Sequence, residues 1–451
     1  MHIAVIGAGF SGASLVYQLL RRSPAGNRIS IINASGRYAR GLAYGTSSDS
    51  HVLNVPAARM SLDEARSDDF ISWLRSQGNP HDAHQFVSRR LYGDYLAARL
   101  DEAIASRRDM QVTRYDQAVA ELLDHQQLLR LADGTVLKVD QVILALGHFA
   151  PTSPLPALGH LPPKRYVNDP WSANALQDLP PDASLLLLGT GLTMVDTLLS
   201  LRKQGHEGRI LALSRRGLPP LAHRRNELPP TAWQPRPDWV AAPHTPVKLL
   251  RALRAEAAKL RAVGGDWRDL WVGLRSQTPQ LWAGLSMRQR AQFLRHAQVY
   301  WDVHRHRAAP DAITAVQAAL DTGQLQVAAG RLVAVEPCVT GLRLAWRPRH
   351  ASALQQFEAV RVINCTGPSA SITADTCPLL WRLAEQGRLQ RCPLGLGIHV
   401  DEQYRLLDEQ GHPQDGLHYI GPLLKAQFWE ATAVPELRLH AARLAQAILS
   451  T

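Results

Sequence analysis

Apolar runs and helix-like stretches alternate at the start of the chain. Residues 3–6, "IAVI", form a short apolar run, and the amphipathic stretch "ASLVYQLLRRS" leads to a second run, "RISIIN". Between the first run and the helix lie Gly7, Gly9 and Gly12 in G-x-G-x-x-G spacing. This pattern between a strand and a helix is typical of dinucleotide binding. Gly7 would permit the tight turn, Gly9 the approach of a pyrophosphate at the helix N-terminus, and Gly12 close helix–strand packing.

The same plan recurs from residue 184, in "SLLLLGTGLTMVDTLLSLRKQGHEGRILALSRR". An apolar strand leads into Gly189 and Gly191, a helix follows to a predicted cap at Gly205, and a further strand ends at Ser214. Met194 replaces the third glycine. We predict a second dinucleotide site, because the order of strand, turn and helix is kept.

A strand-rich passage follows each of these units. Residues 110–148 and 325–368 both contain short alternating strands, a turn and a final apolar strand, which leads to Gly147 in one passage and Gly367 in the other. Two modules of this kind predict two dinucleotides that face each other. That is the plan of an electron-transfer flavoprotein.

The tips of the two second strands differ from the commonest form of this unit. Asn33 stands where an acid would bind the ribose hydroxyls, and an amide makes that hydrogen bond without the assistance of a charge. In the second unit, Ser214, Arg215 and Arg216 stand where an acid would select NAD. A hydroxyl with guanidinium groups suits a 2′-phosphate, so the sequence favours NADPH. The alternative is an exposed basic turn, and the sequence does not indicate which arginine would bind the phosphate.

The middle of the chain, residues 223–310, departs from the alternation of strands and helices. Prolines crowd residues 219–246, amphipathic stretches follow, and six of the 11 tryptophans lie in this part of the chain (Trp233, Trp239, Trp267, Trp271, Trp282 and Trp301). Trp267 and Trp271, at helical spacing, favour a core role over substrate contact. A helical insertion here would still form a natural roof for a substrate chamber. His304 and His306 would not share a helix face, which favours a proton-transfer or structural histidine over a metal pair.

Composition narrows the class of protein. The chain has 451 residues, 45% hydrophobic and 20% charged, which predicts a globular protein of two or three domains. No run approaches the about 18 apolar residues that a membrane helix needs, and no secretory signal precedes the first strand, so we expect a cytoplasmic protein. The net charge of +11 comes from scattered arginines without a nucleic-acid-binding pattern. The four cysteines lack C-x-x-C and metal-ligand spacing, so neither a metal nor dithiol chemistry is expected.

Several motifs resemble those of one protein family. They are "GLAYGTSSDSHVLNVPAARMS", "GTGLTMVD", "LSRRGLPP", "YWDVHRHR", "INCTGP" and "FWEATAVPELR". In this order they are similar to bacterial FAD/NAD(P)-binding proteins whose own reactions are mostly unassigned, distant relatives of the flavin-containing monooxygenases and the lysine/ornithine N-hydroxylases. The resemblance covers nearly the whole chain and departs at Asn33, where family members usually carry an acid. It implies the fold and the cofactors FAD and NADPH, but no substrate.

The segment "HVLNVPAARMS", residues 51–61, gains an interpretation from this resemblance. In related flavoproteins the segment after the second strand passes the flavin, and Asn54 would supply polar groups while Leu53 gives apolar contact to the ring. A capped loop beneath the core is the alternative. The resemblance also implies that the C-terminal part returns to the FAD module, where a helix starting near Ala433 would direct its N-terminus at the flavin and stabilise negative charge on it.

We therefore predict an α/β protein with two Rossmann-like dinucleotide-binding domains and a helical insertion. The predicted boundaries are 1–160 with 355–451 for FAD, 161–222 with 311–354 for NADPH, and 223–310 for the insertion. Asn54 and His304 are the candidate catalytic residues. The candidate cofactor-binding residues are Gly7, Gly9, Ser11, Gly12, Asn33, Tyr44, Leu53, Asn54, Gly147, Gly189, Gly191, Thr193, Ser214, Arg215, Arg216, Thr366, Gly367 and Trp429.

Three functions compete. The first is an NADPH-dependent flavin monooxygenase that forms a C4a-hydroperoxide and oxygenates a nitrogen, sulfur or carbonyl centre of a small molecule. The second is an FAD oxidoreductase or NADPH oxidase without oxygen insertion, and the third is a non-catalytic dinucleotide sensor. The paired glycine units favour catalysis, with oxygen as the co-substrate of the first option. The expected partners include neither nucleic acid nor a membrane, and the substrate and the oligomeric state stay open.

Overall fold

The computed structural model describes residues 1–79, 81–123, 128–172, 174–224, 233 and 245–450. The chain divides into two compact units. Met1–Asp49, Val55–Phe149 and Ala370–Thr451 form the first, and Ser50–Asn54 with Ala150–Ser369 form the second.

The strands are numbered here in chain order. They are β1 (His2–Ile6), β2 (Arg28–Ile32), β3 (Gln111–Tyr115), β4 (Val119–Leu123), β5 (Leu128–Leu131), β6 (Val136–Lys138), β7 (Gln141–Leu144), β8 (Tyr166–Val167), β9 (Leu185–Leu188), β10 (Ile210–Ser214), β11 (Leu325–Cys338), β12 (Gly341–Pro348), β13 (Gln355–Ala359), β14 (Arg361–Asn364), β15 (Arg405–Leu407) and β16 (Pro413–Tyr419).

The α-helices follow the same convention. They are α1 (Phe10–Arg22), α2 (Gly41–Tyr44), α3 (Asp69–Ser76), α4 (Arg89–Ser106), α5 (Leu192–Lys203), α6 (Pro246–Ala262), α7 (Arg268–Leu274), α8 (Thr278–Ala283), α9 (Met287–His296), α10 (Gln298–Arg305), α11 (Pro310–Asp321), α12 (Pro378–Glu385) and α13 (Val434–Leu449).

The first unit is built on a six-stranded sheet in the order β15-β16-β7-β1-β2-β3. All neighbours pair in parallel except β15 with β16. Ile3, Val5 and Ile143 are completely or almost completely buried, as expected for strands that are covered on both faces. Helix α1 packs against α4 and α13. The strands β4, β5 and β6 form a separate antiparallel sheet.

The second unit repeats the plan with a seven-stranded sheet in the order β13-β12-β11-β10-β9-β14-β8. The strands β11, β10, β9, β14 and β8 are parallel, whereas β12 and β13 extend the sheet as antiparallel neighbours. Helix α5 ends at Lys203, and Gly205 follows with a φ of 76°. The predicted cap at Gly205 is therefore confirmed, since a left-handed residue after a helix is a common terminator.

Helices α6 to α10 form the described part of the helical insertion, and they belong to the second unit. Leu274 and Leu281 are buried there, and Trp233, Leu253 and Trp301 pack against them. The ring of Trp271 meets that of Trp301 edge-on at 4.9 Å. These half-buried tryptophans therefore contribute to the core of the insertion. Trp239 lies outside the described residues.

Three short segments lie in a different compact unit from the domain that we predicted for them. We placed residues 355–369 and 150–160 in the first domain. In the structure β13 pairs with β12 and β14 pairs with β9, so residues 355–364 complete the second sheet. Residues 150–160 belong with them, because the side-chain amide of Asn364 donates to the Thr152 carbonyl at 3.2 Å. The third segment is Ser50–Asn54, which the prediction left in the first domain.

Asn364 stabilises this end of the second sheet. It is fully buried, its amide donates to Asn168 Oδ1 at 2.9 Å, and its Oδ1 accepts the Thr366 hydroxyl at 2.7 Å. Replacement by alanine removes these hydrogen bonds from a fully buried position, so we expect Asn364→Ala to lower the free energy of unfolding by about 2 kcal/mol. Thermal unfolding measures the change. The exposed Asn79→Ala variant is the control, and equal melting temperatures for the two variants would contradict this assignment.

No helix among the described residues is both long enough and apolar enough to cross a membrane.

Candidate functional site

The first glycine turn connects β1 to α1. Gly7 has a φ of 100°, and a side chain there would overlap the Ala145 carbonyl oxygen. A side chain on Gly12 would overlap the Gly7 carbonyl oxygen. At Gly9 a Cβ would have only Gly41 Cα near it, at 3.6 Å. Gly7 and Gly12 thus permit close backbone packing, whereas a side chain on Gly9, at the N-terminus of α1, would have only an ordinary contact.

The segment 39–44 lies against this turn. The Ala39 N–H donates to the Ala8 carbonyl at 2.7 Å, and an added Cβ on Gly41 would be 3.0 Å from Gly9 Cα. Helix α2 then presents Tyr44, whose ring meets that of Phe10 edge-on at 6.3 Å. The structure therefore brings Tyr44 to the first glycine turn. Ser11 is buried within the first turn of α1.

Asn33 follows β2, and its side chain closes the loop beyond that strand. The amide nitrogen donates to Ser35 Oγ at 2.9 Å and to the Arg37 carbonyl at 3.0 Å. Its Oδ1 lies 3.4 Å from the Ala8 nitrogen. Because both amide hydrogens are used within the loop, Oδ1 is the group that could receive a hydrogen bond from a ribose hydroxyl.

Gly147 and Trp429 also belong to the first unit. Gly147 follows β7 with a φ of 72°, and a Cβ there would meet no atom within 4 Å. Trp429 is buried, and the Lys425 ammonium lies 4.3 Å from the centre of its ring. Helix α13 starts at Val434 after Ala433, which agrees with the predicted start of the C-terminal helix.

The segment 51–61 is divided between the two units, with residues 51–54 in the second and 55–61 in the first. His51 Nε2 lies 2.7 Å from Ser200 Oγ on α5, and Leu53 is buried. The Asn54 carbonyl accepts a hydrogen bond from His223 Nε2 at 2.9 Å. All of these residues belong to the second unit, whereas Val55 and the residues after it belong to the first.

His223 is a site residue that we did not predict. Burial, and next the charge of Arg307, lower the pKa of His223 to about 3, so its imidazole is neutral near pH 7. Its Nε2 must carry the proton, because the Asn54 carbonyl can only accept. No local pattern predicts this contact, because His223 stands 169 positions from Asn54.

The second glycine turn repeats the geometry of the first. Gly189 has a φ of 110°, and a side chain there would overlap the Cys365 carbonyl oxygen, as one on Gly7 would overlap Ala145. The Gly189 N–H donates to the Leu213 carbonyl at 2.8 Å, and the Gly7 N–H donates to Ile32 over the same distance. Gly191 precedes α5, and a Cβ on it would meet open space. The internal repeat thus extends to individual backbone contacts.

The start of α5 also holds two residues of the predicted motif. Thr193 accepts the Thr197 hydroxyl on its carbonyl at 2.8 Å. The Met194 side chain is buried, in the position where the first turn has Gly12. This helix start therefore accommodates a large side chain where α1 has none.

Ser214 closes the turn that follows β10. Its Oγ accepts the Gly217 N–H at 2.9 Å and lies 2.9 Å from Thr190 Oγ1. The Thr190 hydroxyl donates to the Leu218 carbonyl at 2.8 Å. Since the single proton of Thr190 is used there, the Ser214 proton points to Thr190 Oγ1. In this arrangement Ser214 has no proton to offer a phosphate oxygen.

The two arginines that follow Ser214 have different surroundings. Arg215 is exposed, whereas Arg216 is half-buried. The Arg216 guanidinium carbon lies 6.0 Å from the centre of the Tyr300 ring, which belongs to α10. Arg215 is therefore exposed to solvent, whereas the Arg216 guanidinium lies over an aromatic ring.

Thr366 and Gly367 follow β14, the neighbour of β9 in the second sheet. Gly367 has a φ of 92°, and a Cβ there would meet no atom within 4 Å, as at Gly147 in the first unit. Both glycines thus leave room at the carboxyl end of the strand beside a glycine turn. The carboxyl ends of the strands are where open α/β sheets bind ligands.

The two candidate catalytic residues have different contact partners in the described part of the second unit. His304 Nδ1 donates to the Tyr300 carbonyl at 2.7 Å, and its ring lies 5.1 Å from that of Trp267 and 5.8 Å from that of Trp271. In the part of the second unit that the structure describes, Asn54 instead contacts His223. The surroundings of His304 are therefore those of a histidine packed against aromatic rings.

Two further predictions concern cysteine reactivity and metal binding. Burial raises the pKa of the Cys365 thiol to about 12, so a thiolate is disfavoured at this strand end. Within the described ranges, no group of three or more histidine, cysteine, aspartate or glutamate side chains is arranged to hold a metal ion.

Comparison with known proteins identifies the first module. Residues 4–149 match the model of a family described as FAD-NAD(P)-binding. They form an FAD/NAD(P)-binding domain. The match ends at residue 149, where the chain passes from the first compact unit to the second. It includes the first glycine turn, α2 and Gly147. A search of curated proteins by sequence found no match.

Solved structures share the fold over the full length of the chain. The ornithine hydroxylase of Pseudomonas aeruginosa has a TM-score of 0.65 at 15% identity, covering 100% of this chain and 98% of its own. The L-lysine 6-monooxygenase of Pseudomonas syringae has 0.65 at 16%, with 99% and 98% covered. The ornithine N-hydroxylase of Kutzneria sp. 744 has 0.64 at 13%, also with 99% and 98% covered. The predicted fold, two Rossmann-like domains with a helical insertion, is confirmed.

Proposed function

We propose that the protein is an FAD-dependent oxidoreductase that uses NADPH, with FAD at the first glycine turn and NADPH at the second. The observation that carries this proposal is the repeated turn, in which Gly9 and Gly191 each precede a helix. A Cβ would have only an ordinary contact with Gly41 Cα, at 3.6 Å, on Gly9, and no atom within 4 Å on Gly191. The match of the first module to an FAD-NAD(P)-binding family model supports a dinucleotide there. The Kutzneria enzyme, which shares the fold, was solved with reduced FAD, NADP+ and L-ornithine.

The first unit offers groups for a flavin dinucleotide. Backbone N–H groups at the start of α1 would bind the pyrophosphate, and Asn33 Oδ1 would accept from a ribose hydroxyl. Gly147 leaves room beside β1, and the N-terminus of α13 would favour negative charge on a reduced ring. FAD supplies hydride acceptance from NADPH and the activation of oxygen.

The second unit would select the coenzyme through Arg215 and Arg216 rather than through Ser214. A guanidinium binds a phosphate with charge-assisted hydrogen bonds, and no acid stands at the end of β10 to bind the bare ribose. Ser214 would act by closing the turn, since its Oγ accepts the Gly217 N–H. This division of roles predicts opposite results for substitutions at neighbouring positions.

Ser214→Ala is expected to keep the preference for NADPH over NADH. The substitution removes the hydrogen bonds to Gly217 and Thr190, so the free energy of unfolding should fall by about 1–2 kcal/mol. Flavin reduction rates with both coenzymes and a thermal melt test the two statements. A loss of coenzyme preference at unchanged stability would show that Ser214 contacts the 2′-phosphate.

We propose a single-component monooxygenase as the reaction class, acting on a nitrogen, sulfur or carbonyl centre of a small molecule. The support is the fold shared with ornithine and lysine hydroxylases over 98% of their chains. The half-buried aromatic rings around His304, contributed by Trp267 and Trp271, belong to the insertion that would cover a substrate.

The test separates oxygen insertion from simple oxidation. The FAD-loaded protein is reduced with NADPH without oxygen and then mixed with oxygen, with and without a panel of small amines, thioethers and ketones. We expect one compound to couple NADPH oxidation to an oxygenated product and to suppress hydrogen peroxide release. If peroxide accounts for all the NADPH with every class of compound, an NADPH oxidase without insertion is the better description. Absence of flavin reduction would favour a dinucleotide sensor.

A further inference from the structure

A continuous group of aromatic rings leads away from the first glycine turn within the first unit. We call Tyr44, Tyr92, Tyr95, Phe70 and Trp73 the aromatic chain. Successive ring centres are 4.7 Å apart for Tyr44 and Tyr92, 5.7 Å for Tyr92 and Tyr95, and 5.6 Å for Tyr95 and Trp73. Tyr92, Tyr95 and Phe70 are fully buried, and Trp73 is 7% exposed.

One end of the aromatic chain lies at the proposed dinucleotide site. Tyr44 belongs to α2, the short helix whose first residue, Gly41, is packed on Gly9. Its ring also contacts that of Phe10, the first residue of α1. A dinucleotide bound at the Gly9 backbone would therefore lie near Tyr44, separated from it by no more than one or two side chains.

The other end has a built-in proton acceptor. The Tyr95 hydroxyl donates to Asp69 Oδ2 at 2.7 Å, and Asp69 is buried. Arg99 Nε donates to the same carboxylate oxygen at 2.9 Å, which holds it in place. A phenol that loses an electron becomes a strong acid, so oxidation is easiest where a carboxylate receives the proton at once. Tyr92 lacks this support, since its buried hydroxyl has no hydrogen-bond partner among the described residues.

We propose that the aromatic chain donates electrons to one-electron oxidants that arise at the dinucleotide site, with Tyr95 as the residue that is oxidised. The inference rests on the proposed function, because oxygen reduction at a flavin releases hydrogen peroxide, and one electron from a free ferrous ion in solution splits the peroxide into a hydroxyl radical and hydroxide. In the step, an electron leaves the Tyr95 ring through Tyr92 and Tyr44, and the phenolic proton moves to Asp69 Oδ2. The hydroxyl radical gains that electron and a proton from solvent, and water forms. Trp73 then extends the path toward the surface.

The chain offers a matched control at Tyr38. Its hydroxyl also donates to a carboxylate, Asp116 Oδ1, at 2.6 Å, and it belongs to the same unit. The Arg114 guanidinium covers its ring at 4.9 Å, and no ring contact joins Tyr38 to the aromatic chain in the described residues. Tyr38 therefore has the same kind of phenol–carboxylate pair as Tyr95, but it lies outside the aromatic chain.

The experiment uses the full-length, FAD-loaded protein, with photoexcited FAD as the one-electron oxidant. Electron paramagnetic resonance after a light pulse measures the tyrosyl radical in wild type, Tyr95→Phe, Asp69→Asn and Tyr38→Phe. We expect a tyrosyl signal in wild type and Tyr38→Phe, and loss of most of it in Tyr95→Phe and Asp69→Asn. Asp69→Asn keeps the side-chain shape and removes the proton acceptor, so it tests the path without deleting the ring.

The outcomes separate the two proposals. FAD absorbance is recorded for every variant, and a wild-type protein that binds no FAD would overturn both the proposed function and this inference. FAD-loaded wild type without a tyrosyl signal, or a full signal in Tyr95→Phe, would overturn the inference alone. Loss of the signal in Tyr38→Phe but not in Tyr95→Phe would assign the electron donor to the other tyrosine and would also contradict the inference.

Discussion

Gly9→Leu is expected to give a folded, colourless protein that lacks FAD. The backbone at Gly9 has a φ of −71° and a ψ of −166°, which other residues adopt, and a Cβ would have only ordinary contact with Gly41. The substitution therefore places a side chain where the pyrophosphate would approach, without straining the turn itself. FAD occupancy, measured from flavin absorbance per chain, should fall from full to near zero while the melting temperature of the FAD-free protein is unchanged.

The equivalent residue of the second turn is the matched control. Gly191 precedes α5 with a φ of −82° and a ψ of −164°, almost the same conformation as Gly9. Gly191→Leu should keep FAD and lose reduction by NADPH. A Gly9→Leu protein that retains full FAD occupancy would contradict the assignment of the first turn, and loss of FAD in Gly191→Leu instead would reverse the order of the two sites.

Substitution of both arginines that follow β10 is expected to abolish the preference for NADPH. A charge-assisted hydrogen bond contributes about 1.5–3 kcal/mol, which corresponds to roughly a ten- to hundredfold preference over NADH. Arg215 is the exposed cation, and Arg216 is held over the Tyr300 ring at 6.0 Å. Flavin reduction should be measured with both coenzymes in Arg215→Ala, Arg216→Ala and the double variant.

The single variants identify the residue that binds the phosphate, because only the arginine in contact should change the ratio of the two coenzymes. FAD absorbance and the melting temperature serve as controls for the fold. If the double variant keeps the wild-type preference, or if the wild type reduces its flavin faster with NADH, the coenzyme assignment is wrong.

The glycine turns could be predicted because their information is local. Gly7, Gly9 and Gly12 lie within six residues, and the roles of Gly7 and Gly12 follow from backbone sterics alone. The cap at Gly205 was predictable for the same reason. The repeat of the plan also follows from short apolar runs, since each strand of β1, β2, β9 and β10 is buried nearly throughout.

The features that the sequence did not reveal depend on partners far along the chain. The domain boundaries require the pairing of β14 with β9, and short apolar strands do not specify their neighbours. The surroundings of Ser214 depend on Thr190, whose hydroxyl donates to the Leu218 carbonyl and lies 2.9 Å from Ser214 Oγ. In residues 51–61, the contacts of His51 with Ser200 and of the Asn54 carbonyl with His223 join positions that are more than 100 residues apart.

Anaerobic titration of the purified, full-length protein with NADPH and, separately, with NADH tests the central claim most directly. We expect one non-covalently bound FAD per chain, whose absorbance is bleached by NADPH roughly ten- to hundredfold more efficiently than by NADH. A protein that carries no flavin, or a flavin that neither coenzyme reduces, would contradict the assignment of two dinucleotides to the two glycine turns.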